Sequence, residues 1–208
     1  MVSQIKVDSV LESSSGNGVT VDGVLLKDNV AHSGLVKLGS ATASNDSSII
    51  FDNFVDTSTY ISYKIIIDEL TPGTDCGVLQ TKYRSSSGNI TGTYYRSGYW
   101  ASMYRTGGAS GNSQFYTNAS DTDYTRTAGG YGTQPNESIS CEIDFYPNNN
   151  DELIRMVNNN IYNNCNGDWY TAQDACILQS STAAKGLLFF MSSGNIASGE
   201  FAVYGVKK

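Results

Sequence analysis

The chain has 208 residues and a formal charge of −7, from 13 Lys and Arg against 20 Asp and Glu. This length suits one β-sandwich with a core that needs no metal or disulfide staple. The scattered basic residues exclude a phosphate-backbone partner, and no run nears the roughly 20 apolar residues of a membrane-spanning helix.

Residues 1–34 read as an extended attachment segment. Ile5, Val7, Val10 and Leu11 form an apolar stretch that stops at Ser13-Ser14-Ser15-Gly16. Val19, Val21, Val24, Leu25 and Leu26 follow, split by Asp22-Gly23, a strong hairpin or kink signal. The segment is too short to bury these side chains by itself, so they are expected to dock on the following domain, on another copy or on a larger scaffold. Met1–Lys6 lacks the apolar run of a signal peptide, so synthesis in a cytoplasm is expected.

Residues 35–208 carry a strand rhythm. Leu35–Leu38 and Ser48–Phe51 read as strands. Tyr60–Ile67 alternates and then becomes continuously apolar, the pattern of a central strand covered on both faces. Thr71–Asp75 is a turn, Val78–Arg84 a strand, and Tyr94–Tyr104 an aromatic-rich, β-prone stretch. From Thr106 to Asn136, Gly, Ser, Thr, Asn and Tyr dominate, predicting exposed loops and short strands. Ile139, Cys141, Ile143 and Phe145 alternate with polar residues, predicting a half-buried strand. Asp151–Val157 reads as a strand or bent loop, and Gly186–Met191 with Gly199–Val206 as a closing hairpin. Many short strands with regular turns predict an all-β sandwich.

Chemistry is sparse. The one histidine, His32, has no nucleophile or carboxylate partner in sequence, so it makes a poor triad member. Asp121 with Asp123, Glu142 with Asp144, and Asp151 with Glu152 are the acid pairs a glycosidase would need. Two-residue spacing places Glu142 and Asp144 on one face of a strand, where they read as solvated acids. Oxygen ligands gather between Asp144 and Glu152 without the spacing of a calcium loop, so a polar turn is the plainer account. Cys76, Cys141, Cys165 and Cys176 form no CxxC pair and are expected to be buried thiols, with one disulfide possible in oxidising surroundings. No enzyme activity, cofactor or metal is expected.

Aromatic residues give the binding candidates. Tyr99, Trp100, Tyr104, Tyr116, Tyr124 and Tyr131 lie among Gly, Ser and Asn, the composition of adaptable contact loops, where tyrosine gives contact area at low entropy cost. Trp169-Tyr170 repeats the pattern near the end. In strands, alternate members face the core, so about half of such a set is packing.

Ile5–Val10 with Ser15–Asp28 resembles the N-terminus of many structural proteins of tailed phages, especially marine ones. Three further pieces resemble the same proteins: Phe51–Phe54 with Tyr60–Ile67, Leu70–Asp75 with Leu79, and Gly199–Gly205. The segment from Gly92 to Asn136 is not matched. The resemblance implies a lectin-like antiparallel jelly-roll sandwich in a virion protein of fibre or decoration type, assembled by residues 1–34. Its partners would be copies of itself, as a homotrimer, and other virion proteins. A receptor-binding module for a host-surface glycan is the alternative.

Overall fold

A computed structural model of the chain describes residues 19–21, 24–27, 30–31, 34–104, 113–116, 119–126, 130–134, 136–147 and 153–208. Every regular element among them is a strand, and all pairings are antiparallel. Three short strands come first: β1 (Val19–Val21), β2 (Val24–Lys27) and β3 (Val30–Ala31) form their own sheet in the order β1-β2-β3. Val21 pairs with Val24 on either side of Asp22-Gly23, the predicted hairpin. Of the expected attachment residues, Val19, Val21, Val24, Leu25 and Leu26 lie on this hairpin. Ile5, Val7, Val10 and Leu11 lie outside the described residues, as does His32.

Two sheets build the sandwich. The larger holds β4 (Leu35–Asp46), β6 (Tyr60–Pro72), β9 (Thr93–Tyr104), β10 (Ser113–Tyr116), β11 (Ala119–Thr122), β13 (Ile139–Tyr146), β14 (Leu153–Asn163), β15 (Trp169–Gln179) and β17 (Ile196–Lys207). Its order is β10-β9-β15-β14-β13-β6-β17-β4, with β11 also on β9. The smaller holds β5 (Ile49–Phe51), β7 (Leu79–Ser85), β8 (Gly88–Asn89), β12 (Thr125–Arg126) and β16 (Gly186–Met191), ordered β12-β7-β16-β5 with β8 on β7. The chain crosses repeatedly between the sheets, so first and last long strands, β4 and β17, end side by side.

Period-2 alternation decides the core. Along β13 the inward Ile139, Cys141, Ile143 and Phe145 are buried. The sheets meet through aromatic rings. Tyr83 of the smaller sheet stacks on Phe145 and on Tyr94 of the larger, at 5.7 and 5.2 Å between centroids. Phe189 meets Phe201 at 5.6 Å. Phe54, in the β5–β6 connection, closes on Tyr63 and Phe145.

Four expectations are corrected. Gly186–Met191 and Gly199–Val206 do not form a hairpin: β16 pairs with β5 and β7, while β17 pairs with β4 and β6. Both segments are apolar because they face each other across the core, not because they share a ladder. β6 is central in its sheet but covered on one face only, since Ile66 and Ile61 are 39% and 62% exposed. Cys141 and Cys176 are buried thiols as expected, but Cys76 and Cys165 form a disulfide with a Cα–Cα distance of 5.2 Å. Finally, Tyr131 and Gly132, within the Gly- and Tyr-rich segment, are buried, whereas Thr133, Gln134 and Asn136 after them are exposed as expected. The Tyr131 N–H donates to the Gly77 carbonyl and the Cys165 N–H to the Gly130 carbonyl, so residues 130–131 are held between the two disulfide-linked loops.

Candidate functional site

Strand alternation also fixes what the larger sheet shows to solvent. One row crosses it through successive partners: Ile66, Glu142, Asn159 and Gln173. The neighbouring row is Ser140, Ile161 and Thr171. Between β6 and β15 these rows line a hollow of about 690 Å³, which also takes in Asp68. Ile66 and Ile161 give it apolar ground, with Ile161 58% exposed. Gln173 Nε2 donates to Asn159 Oδ1 at 2.8 Å, which fixes both amides and leaves the Gln173 carbonyl and the Asn159 amide hydrogens as recognition groups. A few placed polar groups on apolar ground is the usual make-up of a ligand site.

Electrostatics at the hollow are acidic. The Lys64 ammonium bonds Glu142 and lies 3.1 Å from Asp144. Desolvation pulls the Lys64 pKa down, but the hydrogen bonds and charge of Glu142 and Asp144 outweigh it and hold the pKa above the ordinary lysine value. Beside them the ladder slips. Ile139 pairs with Leu70 but Cys141 with Ile67, so Asp68 and Glu69 together oppose Ser140. This bulge turns two successive carboxylates to solvent, with Glu69 at φ 49° and Ser140 Oγ bonded to Asp68. Gly199 makes room on the other side: a Cβ there would sit 2.9 Å from Leu70 Cα, at a φ of +146°.

The predicted contact residues fare differently. Tyr99, Trp100 and Tyr104 lie on β9 and Tyr116 on β10, where Tyr116 pairs with Tyr99 and Trp100 with Gln173; their side chains lie outside the described residues. Tyr124 is half-buried, edge-on to Phe190 at 6.3 Å with the Arg126 guanidinium over its ring. Tyr131 is a correction: it is fully buried, edge-on to Tyr162, and cannot touch a receptor in this fold. Trp169-Tyr170 divides by alternation, with Tyr170 stacked on Tyr162 while Trp169 is 45% exposed.

Of the acid pairs, Glu142 and Asp144 do share a face and share Lys64. Asp123 is a turn residue whose carboxylate accepts the Gly92 N–H at 2.9 Å. Asp151 and Glu152, with residues 148–150, lie outside the described residues. One cluster of potential metal ligands occurs among the described residues, Asp75 with Cys76 and Cys165, and the two sulfurs in it are bonded to each other.

The sequence did not point to Asn159, Gln173, Ile161 or the Asp68-Glu69 pair. Polar runs such as Asn158-Asn159-Asn160 disfavour strand assignment, and a bulge leaves no mark on a binary pattern. Compared with family models, curated proteins and solved structures, the chain matches none.

Proposed function

We propose that the chain is a non-enzymatic structural protein of a tailed-phage particle, attached and trimerised through residues 1–34, whose sandwich recognises a host-surface glycan. The phage assignment, with its jelly-roll character, rests on the resemblance of the two chain ends to virion proteins. Recognition rests on one observation: a 690 Å³ hollow on the open face of the larger sheet, where two exposed isoleucines flank a fixed amide pair. Sugars offer that chemistry its complement, hydroxyls for amides and carboxylates, C–H faces for apolar ground. Binding without catalysis suits Glu142, whose carboxylate is already held by Lys64.

Ile161→Lys places a charge on the floor of the hollow at an exposed position. It should abolish attachment of the chain to host cells while leaving the thermal melting temperature unchanged. Full attachment by this variant would refute the site. A stable wild-type oligomer that binds neither cells nor glycans would leave only the assembling role.

A further inference from the structure

The hollow does not end at Asp68 and Thr171. A second one, of about 600 Å³, continues it on the same face toward the end of the strands. On β6 the lining passes from Asp68 to Glu69, along β13 from Ser140 to Ser138 just before the strand, and on β15 from Thr171 to Trp169. The two hollows share no lining residue but lie end to end along these segments, and together they make up the candidate groove. From Gln173 to Trp169 it follows four residues of β15, about 13 Å at the rise of a strand. It crosses from β6 to β15 over three strand spacings, about 14 Å.

Trp169 gives the far end a flat apolar surface among polar groups, the geometry on which a ring can stack while its substituents bond to the rim. The rim is pre-set. The Glu137 carboxylate accepts the Gln134 N–H at 2.9 Å and covers Gly132, where a Cβ would fall 1.8 Å from Glu137 Oε2. Asn136 and Glu69, both lining this end, have positive φ of 76° and 49°, so the backbone is bent locally to present them. The loop carrying Gln134 and Glu137 starts at Gly130, which the disulfide-linked loops hold.

Charge selects the ligand. Asp68 and Glu142 line the first hollow, Glu69 and Glu137 the second, and no Lys or Arg lines either among the described residues. The Lys64 ammonium, beside the first hollow, is engaged by Glu142 and Asp144. A sialylated, uronic or phosphorylated glycan would bring its anions against these carboxylates with no cation to receive them. A neutral oligosaccharide gives each carboxylate hydroxyl donors instead.

We propose that this groove binds a neutral oligosaccharide of more than one ring, with one ring on the amide pair at Asn159 and Gln173 and another stacked on Trp169. The inference rests on the reading that the sheet face recognises a glycan, and it specifies the class of that glycan and its second contact.

Calorimetric titration of the full chain tests it, using neutral hexose oligomers of increasing length, uronic-acid oligomers of matched length and a lysine-rich peptide. Affinity should rise with length in the neutral series and be absent in the acidic one. Trp169→Ala should weaken the longer neutral oligomers roughly ten-fold and leave the shortest binder unchanged. Trp169→Phe should restore most of the loss, and both variants should melt like the wild type. Tighter binding of the acidic series overturns the charge argument. Equal loss for short and long oligomers in Trp169→Ala, or no loss at all, overturns the second contact; either leaves glycan recognition by the first hollow standing. Binding of the peptide alone overturns both readings in favour of a basic protein partner, and binding of no probe overturns both outright.

Discussion

The two halves of the sandwich interior are built by the same alternation, but only one of them is apolar throughout. Under β6, β13 and β17 the inward positions are Tyr63, Ile65, Ile67, Phe145, Phe201 and Val203, closed from the smaller sheet by Tyr83, Leu187 and Phe189. Under β14 and β15 the polar Asn158, Asn160 and Asp174 are set among Ile154, Met156, Tyr162, Ala172, Cys176 and Leu178, and Thr81 and Thr125 join them from the smaller sheet, all of them buried. The border is one strand wide: Ile143 pairs with Asn158, and Cys141 with Asn160. Period 2 therefore decides which side chains go inside and does not decide that they are apolar. The polar residues are gathered in one patch. Asn158 and Asn160 act on the Asp174 carboxyl through side-chain hydrogen bonds, and the Thr125 hydroxyl on the Cys176 thiol. Burying the carboxyl and amides of this patch takes more desolvation than burying apolar side chains, so the apolar half is expected to contribute more per residue.

The largest effect that would test this contrast belongs to the apolar half. Phe145→Ala removes a ring packed on Phe54, Tyr63 and Tyr83, and should destabilise the chain by about 3–5 kcal/mol in denaturant unfolding. Tyr131→Ala should fall in the same range, because its ring is buried against Tyr162. A loss below 1 kcal/mol for Phe145→Ala would mean that the aromatic cluster is not the main support.

Asp174 sharpens the comparison from the polar side. Burial pushes its pKa up to about 7 from 3.8, with Asn158, Arg96 and Asn160 offsetting part of the shift. Between those two values the unfolded carboxyl ionises while the folded one keeps its proton. Stability should then be greatest below about pH 4, decline as the pH rises toward 7, and level off above it. Asp174→Asn cannot ionise, so it should remove this decline and be the more stable protein at pH 8, on the order of a few kcal/mol. Unfolding curves at pH 4, 6 and 8 decide it: parallel pH dependence in variant and wild type would show that Asp174 does not titrate inside the fold.

The smallest effect lies outside both halves. The Lys64 and Glu142 side chains are 24% and 48% exposed. Lys64→Met should change stability by less than about 1 kcal/mol, with the difference shrinking in salt. A change as large as that of Phe145→Ala would place structural weight on the outer face.

What the sequence made legible follows the same border. β13 could be read residue by residue because Ile139, Cys141, Ile143 and Phe145 alternate with Ser140, Glu142 and Asp144. β7 and β16 were legible as apolar segments bounded by turns. Only the start of β14 was, because its second half puts asparagine where β13 puts isoleucine and cysteine. Partners were less legible than strands, as β16 and β17 illustrate, since an apolar run records burial and not which neighbour provides it. At the candidate site the sequence marked aromatic residues by type. It could not tell Trp169, which is exposed, from Tyr131, which is buried, because that depends on pairing to distant strands.

The disulfide makes part of this molecule a closed ring. Cys76 and Cys165 are 89 residues apart, and the chain between them carries β7 to β14, including the whole Gly- and Tyr-rich segment. A peptide bond cut anywhere from 77 to 164 opens the ring but separates nothing. The N-terminal piece would keep β4, β5 and β6, the C-terminal piece β15, β16 and β17, and one sulfur–sulfur bond would join them. Digested protein should run as two fragments on a reducing gel and as one species on a non-reducing gel. For a protein working outside a cell, a nick in that segment would leave a single covalent molecule, with β6 and β17 still paired at the centre of the larger sheet.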